Sequence, residues 1–143
     1  MSDTIADSSL ESSELNWIHA LAALGAALAV LLLLHWKVAY SLIDDWLFYP
    51  TYTHGLLIIP ISLWLIWQKK DALTQLRPRP DYLGFGLLLV CVAVMALANL
   101  ASVKVVQQFA LIAMIAATVW TVLGRRIGIF LIFPLLFMFM AVP

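Results

Sequence analysis

The sequence predicts an all-α, polytopic integral membrane protein with about five transmembrane helices. Hydrophobic residues make up 64% of the 143 residues and charged residues only 11%, whereas a typical soluble domain is roughly a quarter charged. Five apolar segments approach the length of roughly 17–25 helical residues that crosses a hydrocarbon core. We place them at about 17–36, 52–67, 83–101, 105–123 and 127–143, which leaves no soluble domain.

The first apolar segment is the clearest of the five. Ala20 to Leu34 contains no polar side chain, and Trp17 and Trp36 stand at its two ends as interfacial anchors. Residues 1–16 contain four acidic residues and no basic one, whereas the first region of a secretory signal peptide is basic. We therefore interpret residues 1–16 as a short, disordered, cytoplasmic acidic tail and the first segment as a retained span.

Two of the remaining four segments contain proline, and none of the four contains a charged residue. Pro60 and Pro134 each remove a backbone donor and predict a kink in the second and fifth segments. Asp, Glu, Lys and Arg within spans usually mark proton relays and ion pathways. Their absence from all five segments argues against a self-contained ion-coupled transporter.

The basic residues predict the orientation of the chain. With a cytoplasmic N-terminus, six of the eight lie inside and two outside, a positive-inside bias. The inner six are Lys69, Lys70, Arg77, Arg79, Arg125 and Arg126, and the outer two are Lys37 and Lys104. The loop Arg77-Pro78-Arg79-Pro80 allows two interpretations. It is a docking site for anionic lipid head groups or a cytoplasmic partner, or, as we favour, a stiff turn whose charges enforce topology.

A polar cluster lies between the first two spans, on the predicted outer face. It comprises Asp44, Asp45, Tyr52, His54 and Gly55, which are our candidates for residues that line a substrate or support a catalytic group. An imidazolium is disfavoured at a helix N-terminus, so His54 is expected to be neutral and to donate to Asp44 or Asp45. The alternative, which residue chemistry alone favours, is an interfacial histidine that caps the helix.

The single cysteine does not predict a nucleophile. Cys91 lies about 13 Å into the third span among Leu89, Val90, Val92 and Val94, and an apolar setting keeps a thiol protonated and inert. One cysteine forms no intrachain disulfide, and no spacing of Cys or His resembles a metal site. We expect no catalytic residue, cofactor, metal or nucleic-acid partner in this chain, and membrane lipids as its surroundings.

Several stretches of the sequence resemble the exosortase family, most closely its exosortase A branch. They are Asp44-Asp45-Trp46, then Tyr52-Thr53-His54-Gly55 leading into a proline-containing span that ends at Trp67, then Gln107-Gln108-Phe109-Ala110, and finally Phe133 to Pro143. The resemblance extends from about residue 36 to the end, and the order and spacing of these stretches make it specific.

The resemblance implies a multi-pass cysteine transpeptidase or protease of the bacterial inner membrane. Such enzymes process the C-terminal Pro-Glu-Pro sorting tails of exported proteins and are linked to exopolysaccharide production. Their chemistry resembles that of sortases, with a cysteine nucleophile, an arginine for the oxyanion and a histidine acid/base. These residues lie in the C-terminal half of the family's enzymes, on the outer face of the membrane.

No position of this chain matches that catalytic triad. Cys91 falls in the wrong span, and Arg125 and Arg126 are predicted on the wrong side. We therefore expect an N-terminal portion of such an enzyme, inactive without the missing C-terminal half, because nucleophilic catalysis needs the thiolate and its base together. The alternatives are a non-catalytic membrane scaffold or assembly subunit and, less favoured, a small oligomeric transporter module.

Overall fold

A computed structural model describes the backbone of residues 2–143 and the side chains from Asn16 onward. Helices and short turns account for all the regular structure in this range, which confirms the all-α prediction. The helices are α1 (Ser2–Leu34), α2 (Trp36–Phe48), α3 (His54–Gln68), α4 (Lys70–Leu73), α5 (Tyr82–Leu100), α6 (Lys104–Leu123), α7 (Arg125–Phe130) and α8 (Ile132–Phe137). Two 3₁₀ turns, Pro50–Tyr52 and Met138–Ala141, complete the chain.

The first helix is longer than expected. It begins at Ser2, so residues 2–16 continue the helix of the first span and do not form the disordered tail that we expected. Residues 2–16 contain neither proline nor glycine, and acidic residues near a helix N-terminus interact favourably with the macrodipole. The span itself covers Asn16–Leu34, and a turn at His35 separates it from α2.

Three of the five predicted spans are helices long and apolar enough to cross a membrane: Asn16–Leu34, Tyr82–Leu100 and Lys104–Leu123. The predicted second span is α3, whose 15 residues cover about 22 Å. The predicted fifth span is divided into α7, α8 and the turn Met138–Ala141. The other two predicted segments are thus one 15-residue helix and one broken helix, and their crossing of the membrane stays a prediction.

A proline explains the break in the fifth segment. Pro134 has no N–H to donate to the carbonyl of Phe130, four residues before it, and the helix is interrupted at Leu131. Nζ of Lys69 donates to that carbonyl at 2.8 Å instead. A side chain from the end of α3 thus satisfies the acceptor that the proline leaves unpaired.

The chain runs five times between two ends of the molecule. At one end, the indole of Trp17 donates to the carbonyl of Leu76, and the amide of Arg79 donates to the carbonyl of Leu123. We call this the basic end, because it includes the loop residues 68–82 and 124–126. At the opposite end, the Asp45 end, Lys104 pairs with Asp45. The helix α6 lies at the centre and packs against α1, α2, α5 and α7.

Candidate functional site

Asp45 is the centre of a polar network at the Asp45 end. Its Oδ1 accepts a hydrogen bond from Nζ of Lys104 at 2.7 Å, and its Oδ2 accepts one from Nε2 of Gln108 at 2.8 Å. Lys104 and Gln108 lie four residues apart at the start of α6, so one helix face presents both donors. The side chain of Asp45 is 8% exposed and that of Lys104 is 52% exposed, so the ion pair reaches the surface on its lysine side.

Gln108 extends the network to a second residue of α2. Its Nε2 lies 3.2 Å from Oγ of Ser41, one helical turn before Asp45, and that hydroxyl donates to the carbonyl of Val38 at 2.8 Å. Oε1 of Gln108 is buried and has no partner among the residues that the structure describes. The network therefore joins α2 to α6 by side chains that are largely removed from solvent.

The environment of Asp45 keeps its carboxylate ionised. Burial raises its pKa, whereas the hydrogen bonds from Lys104 and Gln108 and the charge of Lys104 lower it, and the net result is a pKa below the usual value of an aspartate. A carboxylate that accepts two hydrogen bonds and faces a cation is stabilised in its charged form. Asp45 is thus a carboxylate with a structural role, because both of its oxygens accept hydrogen bonds from α6.

Trp46 and Gly55 join three parts of the chain at the same end. The buried indole of Trp46 donates to the carbonyl of Ala141 at 2.7 Å. A Cβ on Gly55 would overlap the pyrrole part of that indole, including Nε1. Gly55 therefore allows α3 to begin directly against Trp46, so that α2, α3 and the turn Met138–Ala141 share one contact.

The loop before α3 presents its polar groups to the surface. Thr53 Oγ1 donates to the carbonyl of Pro50 at 2.7 Å, and Nδ1 of the exposed His54 lies 3.2 Å from the carbonyl of Thr51. The rings of Tyr49 and Tyr52 lie 6.3 Å apart, centroid to centroid, and Tyr52 is partly buried against the core.

The expected hydrogen bond between His54 and a carboxylate is not formed. The imidazole contacts the backbone of its own loop, and Asp45 is directed towards α6. Asp44, the neighbouring carboxylate, is half-buried and has no hydrogen-bond partner among the described residues. The five candidate residues therefore divide into Asp45 and Gly55, which hold helices together, Tyr52, which packs on the core, and His54 and Asp44, which have no such role.

Sequence reasoning missed the partners of Asp45. The sequence did not predict Gln108, Lys104 or Ser41 as a partner of Asp45. The spacing of Lys104 and Gln108 on one face of α6 was a usable signal, because two donors at i and i+4 point the same way. What the sequence could not indicate is that α2 presents Asp45 to that face.

Cys91 lies within α5 and is buried against the core formed with α6. Among the described residues, no group of three His, Cys, Asp or Glu side chains is arranged to hold a metal ion. Neither observation brings a nucleophile or a metal to the Asp45 end.

The family model for transmembrane exosortases (Exosortase_EpsH) matches residues 46–143. This chain belongs to the transmembrane exosortase family. The matched region starts at Trp46, so it contains the contacts of Trp46 with Ala141 and Gly55, whereas Asp45 lies one residue before it. No curated protein and no solved structure matches the chain.

Proposed function

We propose that residues 17–143 form the N-terminal membrane portion of an exosortase-type cysteine transpeptidase or protease. In this proposal the enzyme processes the C-terminal Pro-Glu-Pro tails of exported proteins, in a pathway linked to exopolysaccharide production. The observation that supports it most is the family match over residues 46–143. We propose that the catalytic cysteine, arginine and histidine implied by the family resemblance lie outside residues 17–143.

The Asp45 end would then serve as the frame of the outer-face site. Asp45, Trp46 and Gly55 hold α2, α3 and the turn Met138–Ala141 in fixed positions. His54 is exposed on that frame, and when its Nδ1–H donates to Thr51, its Nε2 keeps a lone pair for a substrate group. We propose that His54 and Asp44 line the path of the sorting tail and that Asp45, Tyr52 and Gly55 position them.

The proposed setting is the inner membrane of a bacterium, with the N-terminus in the cytoplasm. The partners would be membrane lipids, exported proteins with sorting tails and the C-terminal half of the enzyme. The sorting of basic residues to one end of the molecule supports this orientation, because cytoplasmic loops carry an excess of Lys and Arg.

Cleavage of a sorting tail by the full-length enzyme tests the proposed roles. His54→Ala and Asp44→Asn should reduce cleavage while the protein accumulates in the membrane at the normal level, because neither side chain holds helices together. Thr53→Ala is a matched control in the same exposed loop and should retain cleavage. Normal cleavage by both His54→Ala and Asp44→Asn would contradict the proposal that these residues line the substrate path.

The DNA beyond codon 143 separates the enzyme from a non-catalytic scaffold. An open frame with further spans and an outer-face Cys, Arg and His supports the enzyme. A stop codon followed by an unrelated gene would favour the scaffold, in which the Asp45 network serves only to assemble helices.

A further inference from the structure

Four arginines surround one cavity at the basic end. The cavity measures about 720 Å³ and is lined by Arg77 and Arg79 from the loop after α4 and by Arg125 and Arg126 from the start of α7. The four guanidinium groups thus come from two segments that are nearly fifty residues apart in sequence. All four side chains are exposed. We call this cavity the arginine groove.

Backbone contacts fix the two segments against each other. The amide of Arg79 donates to the carbonyl of Leu123 at 3.2 Å, and that of Asp81 donates to the carbonyl of Thr121 at 3.0 Å. Gly124 has φ +93°, and a Cβ there would overlap the carbonyl oxygen of Arg79. Because an L side chain rarely adopts this φ, glycine is required where the loop passes α6.

The positive charge of the arginine groove is not neutralised by the described residues. Asp81 is the one carboxylate in its lining. Its Oδ1 accepts from the amide of Leu83 at 3.1 Å, and its Oδ2 accepts from the indole of Trp120 at 3.2 Å. Among the described side chains, none pairs a carboxylate with the four guanidinium groups. The groove is therefore suited to an anion from outside the bundle.

We propose that the arginine groove binds the phosphate head group of an anionic phospholipid. Guanidinium groups present paired N–H donors that match phosphate oxygens, which makes arginine suited to this recognition. Asp81 caps α5, so the groove lies at the first turn of the span Tyr82–Leu100. Tyr82 is 92% exposed and Leu83 is 64% exposed. They continue the groove into an apolar surface, along which the acyl chains of a lipid would lie and which a soluble anion would leave uncovered.

Lipid retention by the purified full chain tests this proposal. Native mass spectrometry would compare phosphatidylglycerol with phosphatidylcholine of the same acyl chains, added to the protein in detergent. Retention of the anionic lipid should be stronger, and Arg77→Gln should weaken it about fivefold, since each basic residue near an anionic surface contributes about that factor. Lys37→Gln is the matched control: it removes one positive charge from α2, which lies outside the lining of the groove, and should leave retention unchanged.

Replacing all four arginines by lysine distinguishes recognition by paired guanidinium hydrogen bonds from attraction of the lipid by positive charge alone. The quadruple Arg→Lys variant keeps the formal charge and the positive-inside bias, so its insertion should be normal, but it loses the paired N–H geometry. We expect retention of phosphatidylglycerol to fall about tenfold. Unchanged retention would overturn the proposal, because bulk charge would then explain the binding. Retention of inorganic phosphate as strong as retention of phosphatidylglycerol would also overturn it, because the acyl chains would then contribute nothing.

Discussion

Gly55 is fixed as a glycine by the indole of Trp46, which occupies the space where a Cβ would lie. The sequence placed Gly55 in a family motif but gave no reason for its identity. That reason is a contact between two helices, and the same indole is held by the carbonyl of Ala141, which is 95 residues from Trp46. A role that depends on two distant segments cannot be derived from the local pattern Tyr52-Thr53-His54-Gly55.

Gly55→Ala should destabilise the protein by about 1–3 kcal/mol, because the added methyl group must displace Trp46 from its hydrogen bond. Gly86→Ala is a matched control within α5, where a Cβ meets nothing within 4 Å. That change should be neutral or stabilising by up to about 1 kcal/mol, because alanine favours helix. Unfolding of both variants by SDS, followed by circular dichroism, measures the difference. Equal stability of the two would contradict the close contact at Trp46.

The ion pair of Asp45 with Lys104 should show a measurable coupling energy. Asp45→Asn and Lys104→Gln each destabilise the protein, and the double variant should be less destabilised than the sum of the two. We expect a coupling of about 0.5–1.5 kcal/mol, towards the lower end of the range because Lys104 is half-exposed and solvent screens the pair. A double-mutant cycle from equilibrium unfolding measures it. Strict additivity would mean that the two charges do not interact in the folded protein.

The depressed pKa of Asp45 predicts how stability varies with pH. A carboxylate with a lower pKa in the folded than in the unfolded state stabilises the protein above the unfolded value, about 3.9, and this contribution is lost as the pH falls through the folded value. The stability difference between the wild type and Asp45→Asn should therefore be full at about pH 7 and shrink below about pH 4. Thermal unfolding of the two proteins at about pH 7 and below about pH 4 tests this. A stability difference between them that does not change with pH would contradict it.

The broken fifth segment is the element for which sequence reasoning succeeded in part. Pro134 correctly predicted a disturbance, because a missing N–H is a local property. Its compensation was not predictable, because Lys69 reaches the carbonyl of Phe130 from an element 61 residues away. In α3, by contrast, the helix continues through Pro60 without a break, from His54 to Gln68.

Lys69→Met should destabilise the protein by about 1–2 kcal/mol, because the carbonyl of Phe130 loses its donor. Lys70→Met is the matched control. It removes the same charge from the same end, and its ammonium lies over the exposed ring of Trp67 at 4.5 Å from the centroid, so its effect should stay within about 0.5 kcal/mol. SDS unfolding of the two variants compares them. Equal losses would show that charge, rather than the hydrogen bond, explains the role of Lys69.

The whole molecule is organised by its two ends. Composition and the lengths of the apolar segments predicted the all-α class and five spans, which include the three long ones, because hydrophobic length is a local property of the sequence. The basic residues predicted which loops share an end, and the hydrogen bonds from Trp17 to Leu76 and from Arg79 to Leu123 place those loops together. Lys104 lies at the opposite end of the molecule, where it pairs with Asp45.

The shortness of α3 makes the crossing of the second segment a test of the whole topology. A fluorescent protein that matures only in the cytoplasm should be active when fused after Lys70, and a phosphatase active only in the periplasm should be active when fused after Tyr49. The 15 residues of α3 cover about 22 Å, less than the roughly 30 Å core, so the bilayer must thin locally or the flanking side chains must extend to the interface. If both fusions report the same side, α3 does not cross, and the Asp45 end and the basic end cannot face opposite compartments.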